Sequence, residues 1–336
     1  VTRVDAFQYR LPPEAIAQQP VEPRHAARLL VSLDAHAPPQ HSHVRDLPDL
    51  LEPGDVLVVN DTRVRPARLH LRKETGGAAE VLLLEPVGPA PGTWEALVRP
   101  GRRLPLGTRL YGTDGTAVVE VGEPVDDGRR RLVTLLADPD RHGTVPLPPY
   151  ITEALPDPER YQTVYAARPG SVAAPTAGLH LSHEVLDACR AKGVDLAQVE
   201  LVVGLDTFRP MAGEAVEDHV MHAERYCVPA ETMEACARAR RVVAVGTTSV
   251  RALESAAARG ALAGRTDLFI AGDYPFKVVD VLLTNFHLPR STLLVLLDAF
   301  CGPRWRALYE EALAQGYRFL SFGDAMLVGR GRGRGR

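Results

Sequence analysis

Apolar and polar positions follow two different rhythms along this chain. In the C-terminal half, apolar runs of strand length alternate with helical runs. "VDLAQVELVV" (194–203), "RRVVAV" (240–245) and "KVVDVLLTNF" (277–286) read as strands. "SHEVLDACRAKG" (182–193), "SVRALESAAARG" (249–260) and "RSTLLVLLDAFCG" (290–302) read as helices. Ser182 and Ser291 or Thr292 are the predicted N-caps, and Gly193, Gly260 and Gly302 the stops. Residues 63–150 behave differently. "RPARLHLR", "AEVLLLEPV", "TWEALVRP", "TRLYGTDG", "TAVVEV" and "RRLVTLLA" are short runs broken by Gly, Pro and Asp, the spacing of a small antiparallel barrel or sandwich. The pattern predicts an α/β protein: a large layered, largely parallel α/β domain (1–62 and 151–328) with an inserted small antiparallel β-barrel domain (63–150). The Arg-Gly tail 329–336 has no apolar residue and is expected to be disordered.

Composition narrows this little. A chain of 336 residues with 45% hydrophobic and 24% charged positions is an ordinary globular protein with room for two domains. It has no apolar run of membrane-spanning length, and its N-terminus lacks a basic-then-apolar leader pattern. Cys189, Cys227, Cys236 and Cys301 form no C-x-x-C pair and no zinc spacing, so they read as reduced thiols of a cytoplasmic protein. The net charge of −3 requires any polyanion partner to find local basic patches. Arg63, Arg65, Arg68 and Arg72, then Arg99, Arg102 and Arg103, then Arg129, Arg130 and Arg131 are such patches, or else a solvated β face.

Polar residues crowd the strand-to-helix junctions. In "TNFHLPRST" (284–292), Asn285 and His287 end a strand and Ser291 and Thr292 open a helix. In open α/β sheets ligands lie beyond the carboxyl ends of strands, and helix N-termini favour anions. Capping around a core histidine is the plainer alternative. "VVAVGTTSVRALES" (242–255) repeats the arrangement with Gly246, Thr247, Thr248 and Ser249. Arg251 in its first turn is an odd cation beside a positive dipole end, and a bound carboxylate or phosphate accounts for it. "GSVAAPTAGLHLS" (170–182) is a tight loop presenting Thr176 and His180. His219 and His222 in "EDHVMHAERY" (217–226) lack a third metal ligand and suit acid–base or hydrogen-bonding work better. Tyr161 and Tyr165, four apart, share one helical face, as stacking or core residues.

Taken in order, "LEPGDVLVVNDTRVRPARL", "YQTVYAARPGSVAAPTAGLHLS", "EDHVMHAERYCVP", "AVGTTSVRALESA", "KVVDVLLTNFHLPRSTLLVLLDAFCG" and "GYRFLSFGDAMLV" cover nearly the whole chain. In this it resembles the S-adenosylmethionine:tRNA ribosyltransferase-isomerase family. The resemblance implies a large α/β domain with an inserted β-barrel. It implies transfer and isomerisation of the ribosyl part of S-adenosylmethionine onto an aminomethyl-deazaguanine at the tRNA wobble position. Epoxyqueuosine-tRNA, adenine and methionine are the products. S-adenosylmethionine is then a consumed substrate, with no further cofactor and no metal. The implied partners are S-adenosylmethionine and tRNA, with no membrane, for a monomer or homodimer.

That chemistry needs a base for the hydrogens beside the sulfonium and an acid for departing adenine. His180, His287, His219 and His222 are its candidates. Thr176, Thr247, Thr248, Ser249, Arg251 and Asn285 are candidates for the donor. Asn60, Asp61, Arg63, Tyr161, Tyr165, Asp206 and Lys277 are candidates for the acceptor. The chain departs from the family where "LHVGxGTF" becomes "LVVGLDTF" (201–208) and "FIYPGYxFK" becomes "FIAGDYPFK" (269–277). Val202, Asp206 and Ala271–Asp273 therefore raise an alternative, the same donor with a different acceptor.

Overall fold

A computed structural model describes residues 2–88, 92–101, 104–125, 130–204, 210–221 and 223–331. Within them the strands run β1 (Arg28–Ser32), β2 (Gln40–His43), β3 (Val56–Asn60), β4 (Thr62–Val64), β5 (Arg68–Lys73), β6 (Ala78–Pro86), β7 (Thr93–Arg99), β8 (Arg109–Tyr111) and β9 (Ala117–Pro124). They continue as β10 (Arg130–Leu135), β11 (Gly143–Thr144), β12 (Arg168–Ser171), β13 (Asp195–Leu201), β14 (Glu224–Cys227), β15 (Val242–Val245), β16 (Ala263–Thr266), β17 (Val281–Asn285) and β18 (Ala325–Gly329). The helices are α1 (Leu47–Leu50), α2 (His183–Ala191), α3 (Ala230–Arg238), α4 (Gly246–Arg259), α5 (Thr292–Cys301) and α6 (Trp305–Ala314). The chain divides into two compact units. One is Val1–Arg63, Pro148–Arg168 and Ala174–Arg336, and the other Val64–Leu147 and Pro169–Ala173.

The larger unit is built on a nine-stranded sheet ordered β16-β14-β13-β3-β15-β17-β18-β1-β2. Its central strands β13, β3, β15 and β17 are parallel neighbours. The expectation of a largely parallel sheet needs correction at the margins. β18 enters antiparallel beside β17, and β14, β16 and β2 are antiparallel as well. β3, β15 and β17 are buried along their whole length, which explains their unbroken apolar runs. Leu57, Val59, Val245 and Leu283 from one face of the sheet pack with Val185, Leu186 and Cys189 of α2.

The helix ends follow from local chemistry. Ser291 Oγ accepts from the Leu294 amide at 3.3 Å and starts α5. Gly260, at φ 64°, stops α4 in the left-handed region. The smaller unit closes on itself. β5, β6, β7, β10, β9 and β8 are joined in sequence, and β5 also pairs with β8, giving a six-stranded antiparallel barrel with β11 appended to β5. Arg131, from one predicted basic patch, points inward instead. It is buried and donates to the carbonyls of Gly122, Gly101 and Leu104.

At the other end, Gly329 closes β18, and Arg330 donates to the Phe276 carbonyl and faces Asp280. The predicted disordered tail thus starts too early, because Arg330 has ordered partners. Residues 332–336 lie outside the described residues, as do Arg102, Arg103 and Arg129.

Candidate active site

Four parallel strands deliver their carboxyl ends to one edge of the large sheet: Leu201 of β13, Asn60 of β3, Val245 of β15 and Asn285 of β17. Two predicted junction motifs sit at this edge, after β15 and β17. The third, the 3-10 turn Thr176–His180, comes to them. Gly246 (φ 84°) lies so near that a Cβ placed on it would stand 3.5 Å from the Ala177 methyl.

Asn285 ties the turn to the sheet. Its Oδ1 accepts from Thr176 Oγ1 at 3.0 Å, and its Nδ2 reaches the Leu320 carbonyl at 3.1 Å and His180 Nε2 at 2.8 Å. A carbonyl can only accept, so the Asn285 amide must turn its NH2 toward Leu320 and His180. His180 Nε2 is then an acceptor and the ring proton sits on Nδ1. Burial, aided by the nearby charges of Arg318, Arg160 and Arg24, lowers the His180 pKa from 6.5 to about 3. The ring is therefore neutral at physiological pH. Leu320, whose carbonyl anchors this network, has φ 68°, a strained backbone for a branched residue.

His287 is nearby in sequence but differently engaged. Its Nε2 lies 3.1 Å from Thr284 Oγ1, its amide donates to Tyr309 Oη at 2.8 Å, and its carbonyl accepts from Tyr9 Oη at 2.5 Å. Thr284 and Asn285 are successive strand residues and point to opposite faces. The two histidines thus hang on opposite faces of β17. Burial lowers the His287 pKa to about 3 as well.

A pocket at the start of α4 gathers Thr247, Thr248, Arg251, Glu224, Thr292 and Phe269 with aliphatic neighbours including Leu268 and Ile270. Arg251 is 6% exposed and Glu224 9% exposed. Arg251 Nη1 pairs with Glu224, Nε donates to the Leu268 carbonyl at 3.2 Å, and Nη2 is buried without a partner. Thr248 Oγ1 is likewise buried and unpartnered. Glu224 also accepts from the Gly204 amide at 2.9 Å. The protein's own carboxylate thus answers the cation in the first turn of α4, while a spare donor remains. His219 packs its ring 5.5 Å from Phe269, on this pocket's wall.

Asp61 follows β3 and is 1% exposed. Arg168 Nε stands 3.3 Å from its Oδ2, and its Oδ1 has no hydrogen-bond partner. Burial raises its pKa above the usual carboxylate value, and neighbouring Glu200 pushes the same way against Arg168. Tyr165 Oη, also unpartnered, presses on Gly178, where an added Cβ would fall 1.9 Å from it.

Other predicted residues are elsewhere or occupied. Asn60 spends its amide on Leu201 and Thr62, locking β3 to β13. Ser249 donates back to the Val245 carbonyl at 2.8 Å. Lys277 is exposed and bonds to Glu254 and Ala257, about 9 and about 14 Å further along α4 than Thr248 at 1.5 Å per residue. It belongs to the opposite end of the sheet. Arg63 pairs with Glu159 at 2.5 Å. Tyr161 and Tyr165 do not share a helix face, since Asp157 and Pro158 start only a 3-10 turn that ends at Tyr161. Tyr161 is fully buried against Phe322, a core residue. Val202 is held by its amide to the Arg225 carbonyl at 2.9 Å. Asp206 and His222 lie outside the described residues. Among the described residues no group of three His, Cys, Asp or Glu gathers as a metal site, and no helix is long and apolar enough to cross a membrane. The pairing of Glu224 with Arg251 and the part played by Leu320 are what motif reading missed. Neither stands out in sequence, because each acts on a residue distant in the chain.

The profile of a family described as "Queuosine biosynthesis protein" matches residues 4–328. The S-adenosylmethionine:tRNA ribosyltransferase-isomerase of Thermus thermophilus is 54% identical, over 97% of this chain and 99% of its own. That of Moorella thermoacetica is 51% identical over the same shares, 97% and 99%. A crystal structure of S-adenosylmethionine tRNA ribosyltransferase from Thermotoga maritima superposes with a TM-score of 0.55 at 37% identity, covering 96% of this chain and 99% of that one. The inserted closed barrel, the polar edge of the large sheet and these matches have one consistent meaning: the chain belongs to the queuosine biosynthesis protein family, with the S-adenosylmethionine:tRNA ribosyltransferase-isomerases.

Proposed function

We infer that the chain is an S-adenosylmethionine:tRNA ribosyltransferase-isomerase of queuosine biosynthesis. The observation that carries this reading is the identity of 54% to a protein of that name over nearly the full length of both chains. In this reaction the aminomethyl nitrogen of the tRNA base takes the ribosyl carbons of S-adenosylmethionine, which close to an epoxycyclopentanediol. Adenine and methionine leave. A tRNA substrate puts the reaction in the cytoplasm. The near full-length identity favours this acceptor over the alternative raised by Val202, Asp206 and Ala271–Asp273.

The site residues divide this work in our assignment. The pocket at α4 takes the methionine part of the donor. Arg251 Nη2 and Thr248 Oγ1, buried and unpartnered, suit its carboxylate, and the walls formed by Leu268, Phe269 and Ile270 suit its methylene chain. Asp61 accepts the proton that the sulfonium makes acidic on the ribose 5′ carbon. Its support is a buried oxygen with no hydrogen-bond partner and a carboxyl made more basic by burial. His180 is a poor base with its pKa near 3, so it serves as a neutral Nδ1–H donor, fixed in that tautomer by Asn285. His287, locked between tyrosines, positions the loop after β17.

The test is incubation with S-adenosylmethionine and tRNA carrying the aminomethyl-deazaguanine. Mass spectrometry of the digested tRNA is expected to show epoxyqueuosine, with matching release of adenine. Neither a new nucleoside nor free adenine would end this reading.

A further inference from the structure

Beside His180 the structure gathers positive charge that the donor chemistry leaves unused. Arg24 and Arg160 line a crevice with Pro20, His180 and Ser321, and Arg318 bonds to the carbonyl of Gln19, next to Pro20 in the chain. These residues come from three distant parts of the chain. Arg24 is held by the carbonyls of Gln162, Leu179 and Glu159. Arg160 reaches the Val21 carbonyl at 2.8 Å and pairs through Nε with Glu22. Arg318 donates from Nη1 to the Gln19 carbonyl at 3.2 Å. Arg160 Nη1 and Arg318 Nη2 remain buried with no acceptor. Among the described contacts, Glu22 is the one carboxylate bonded to any of the three guanidiniums. Arg160 and Arg24 also oppose each other's charge. Buried guanidinium donors without acceptors are costly, and an oxyanion removes both the orphaned donors and the repulsion.

We propose that Arg24, Arg160 and Arg318 form an oxyanion site beside His180 that holds a backbone phosphate of the nucleic-acid substrate. The proposal rests on the ribosyltransferase reading. The donor's own carboxylate already has Arg251 in that reading, which leaves the phosphodiester as the anion available here. A forked guanidinium suits it, since two parallel N–H bonds fit two phosphate oxygens. The phosphate held here then fixes the register of the reacting nucleotide against His180 without reading its base.

The test compares wild type with Arg160→Gln and Arg318→Gln. Dissociation constants for anticodon-loop RNA are measured over a salt series, and S-adenosylmethionine binding is measured by calorimetry. Each substitution is expected to weaken RNA binding about tenfold, the loss of one charge-assisted pair. The plot of log K against log salt is expected to flatten by about 0.7 per lost contact. Affinity for S-adenosylmethionine is expected to stay unchanged, which also reports an intact fold. Arg318→Lys keeps the charge but loses the fork, and covers the case in which the glutamine variants misfold. It is expected to keep the salt slope and still bind RNA more weakly. Unchanged RNA affinity and slope would overturn the proposal. So would loss of S-adenosylmethionine binding with RNA binding intact, which makes the anion the donor's carboxylate. Adenine release by the wild type checks the underlying reading separately. Turnover by the wild type with unaltered variants sinks only the phosphate site.

Discussion

Acid is expected to loosen this protein through its buried imidazoles, and His287 gives the cleanest case. Burial alone takes its pKa from 6.5 to about 3. Its neighbours Thr284, Tyr309 and Tyr9 offer no carboxylate to pair with an imidazolium. The unfolded chain takes up the proton below pH 6.5, and the folded chain does not until about pH 3. The unfolded state therefore binds more protons across that window, so the stability from this ring is fully present above pH 6.5 and declines as pH falls to about 3. At pH 5 the loss integrates to about 2 kcal/mol, and to about 5 kcal/mol once both forms are protonated. Urea unfolding at about pH 7.5 and about pH 5 measures it, with His287→Gln as the reference. Glutamine keeps a hydrogen-bonding atom near Thr284 and cannot titrate. The wild type is expected to lose about 2 kcal/mol more than the variant between those conditions. Equal losses would refute the reasoning and mean that the ring is protonated in the folded protein or reached by water.

Four further outcomes are expected. Asn285→Ala orphans Thr176 Oγ1 and His180 Nε2 together and takes one of two donors from the Leu320 carbonyl, at a cost of about 3 kcal/mol. Calorimetry is expected to show Tm lower by about 5 °C, and adenine release is expected to collapse. Arg251→Leu leaves Glu224 buried and unpaired, costing about 3–5 kcal/mol. The double variant Arg251→Leu with Glu224→Leu is expected to recover most of that in urea unfolding while still failing to bind S-adenosylmethionine in calorimetry. Gly178→Ala drives a methyl into the Tyr165 hydroxyl and is expected to lower kcat for adenine release more than it lowers Tm. Lys277→Ala is expected to leave kcat and both KM values unchanged, because the side chain sits at the far end of α4.

Much of this architecture is written in local pattern. The buried runs at β15 and β17, the serine that starts α5 and the glycine that ends α4 each carry their own signal. The six runs between 63 and 150 correspond to the six barrel strands. At the site, the convergence of Thr176, His180 and Asn285 follows from placing three polar junctions at strand ends. The failures are tertiary. Four-residue spacing suggests a helix at Tyr161 and Tyr165, but Pro158 and the tight packing of Tyr161 on Phe322 decide otherwise. The sequence around Arg251 gives no sign that Glu224, 27 residues away, already takes one of its nitrogens. Ser249 looks like a site hydroxyl until its bond to Val245 is seen. Lys277 precedes the site motif in sequence, yet a strand's length separates the two ends of the sheet.

The pairing of β1 with β18 has a consequence for how the molecule is made. The first strand of the large sheet waits for the last one, and Tyr9 waits for a carbonyl 278 residues later. During synthesis the barrel, whose strands lie together within 68–144, can close while the large sheet stands half built. The large sheet is therefore completed only after β18 has left the ribosome, and a nascent chain stalled before Ala325 should hold a finished barrel and an unfinished sheet.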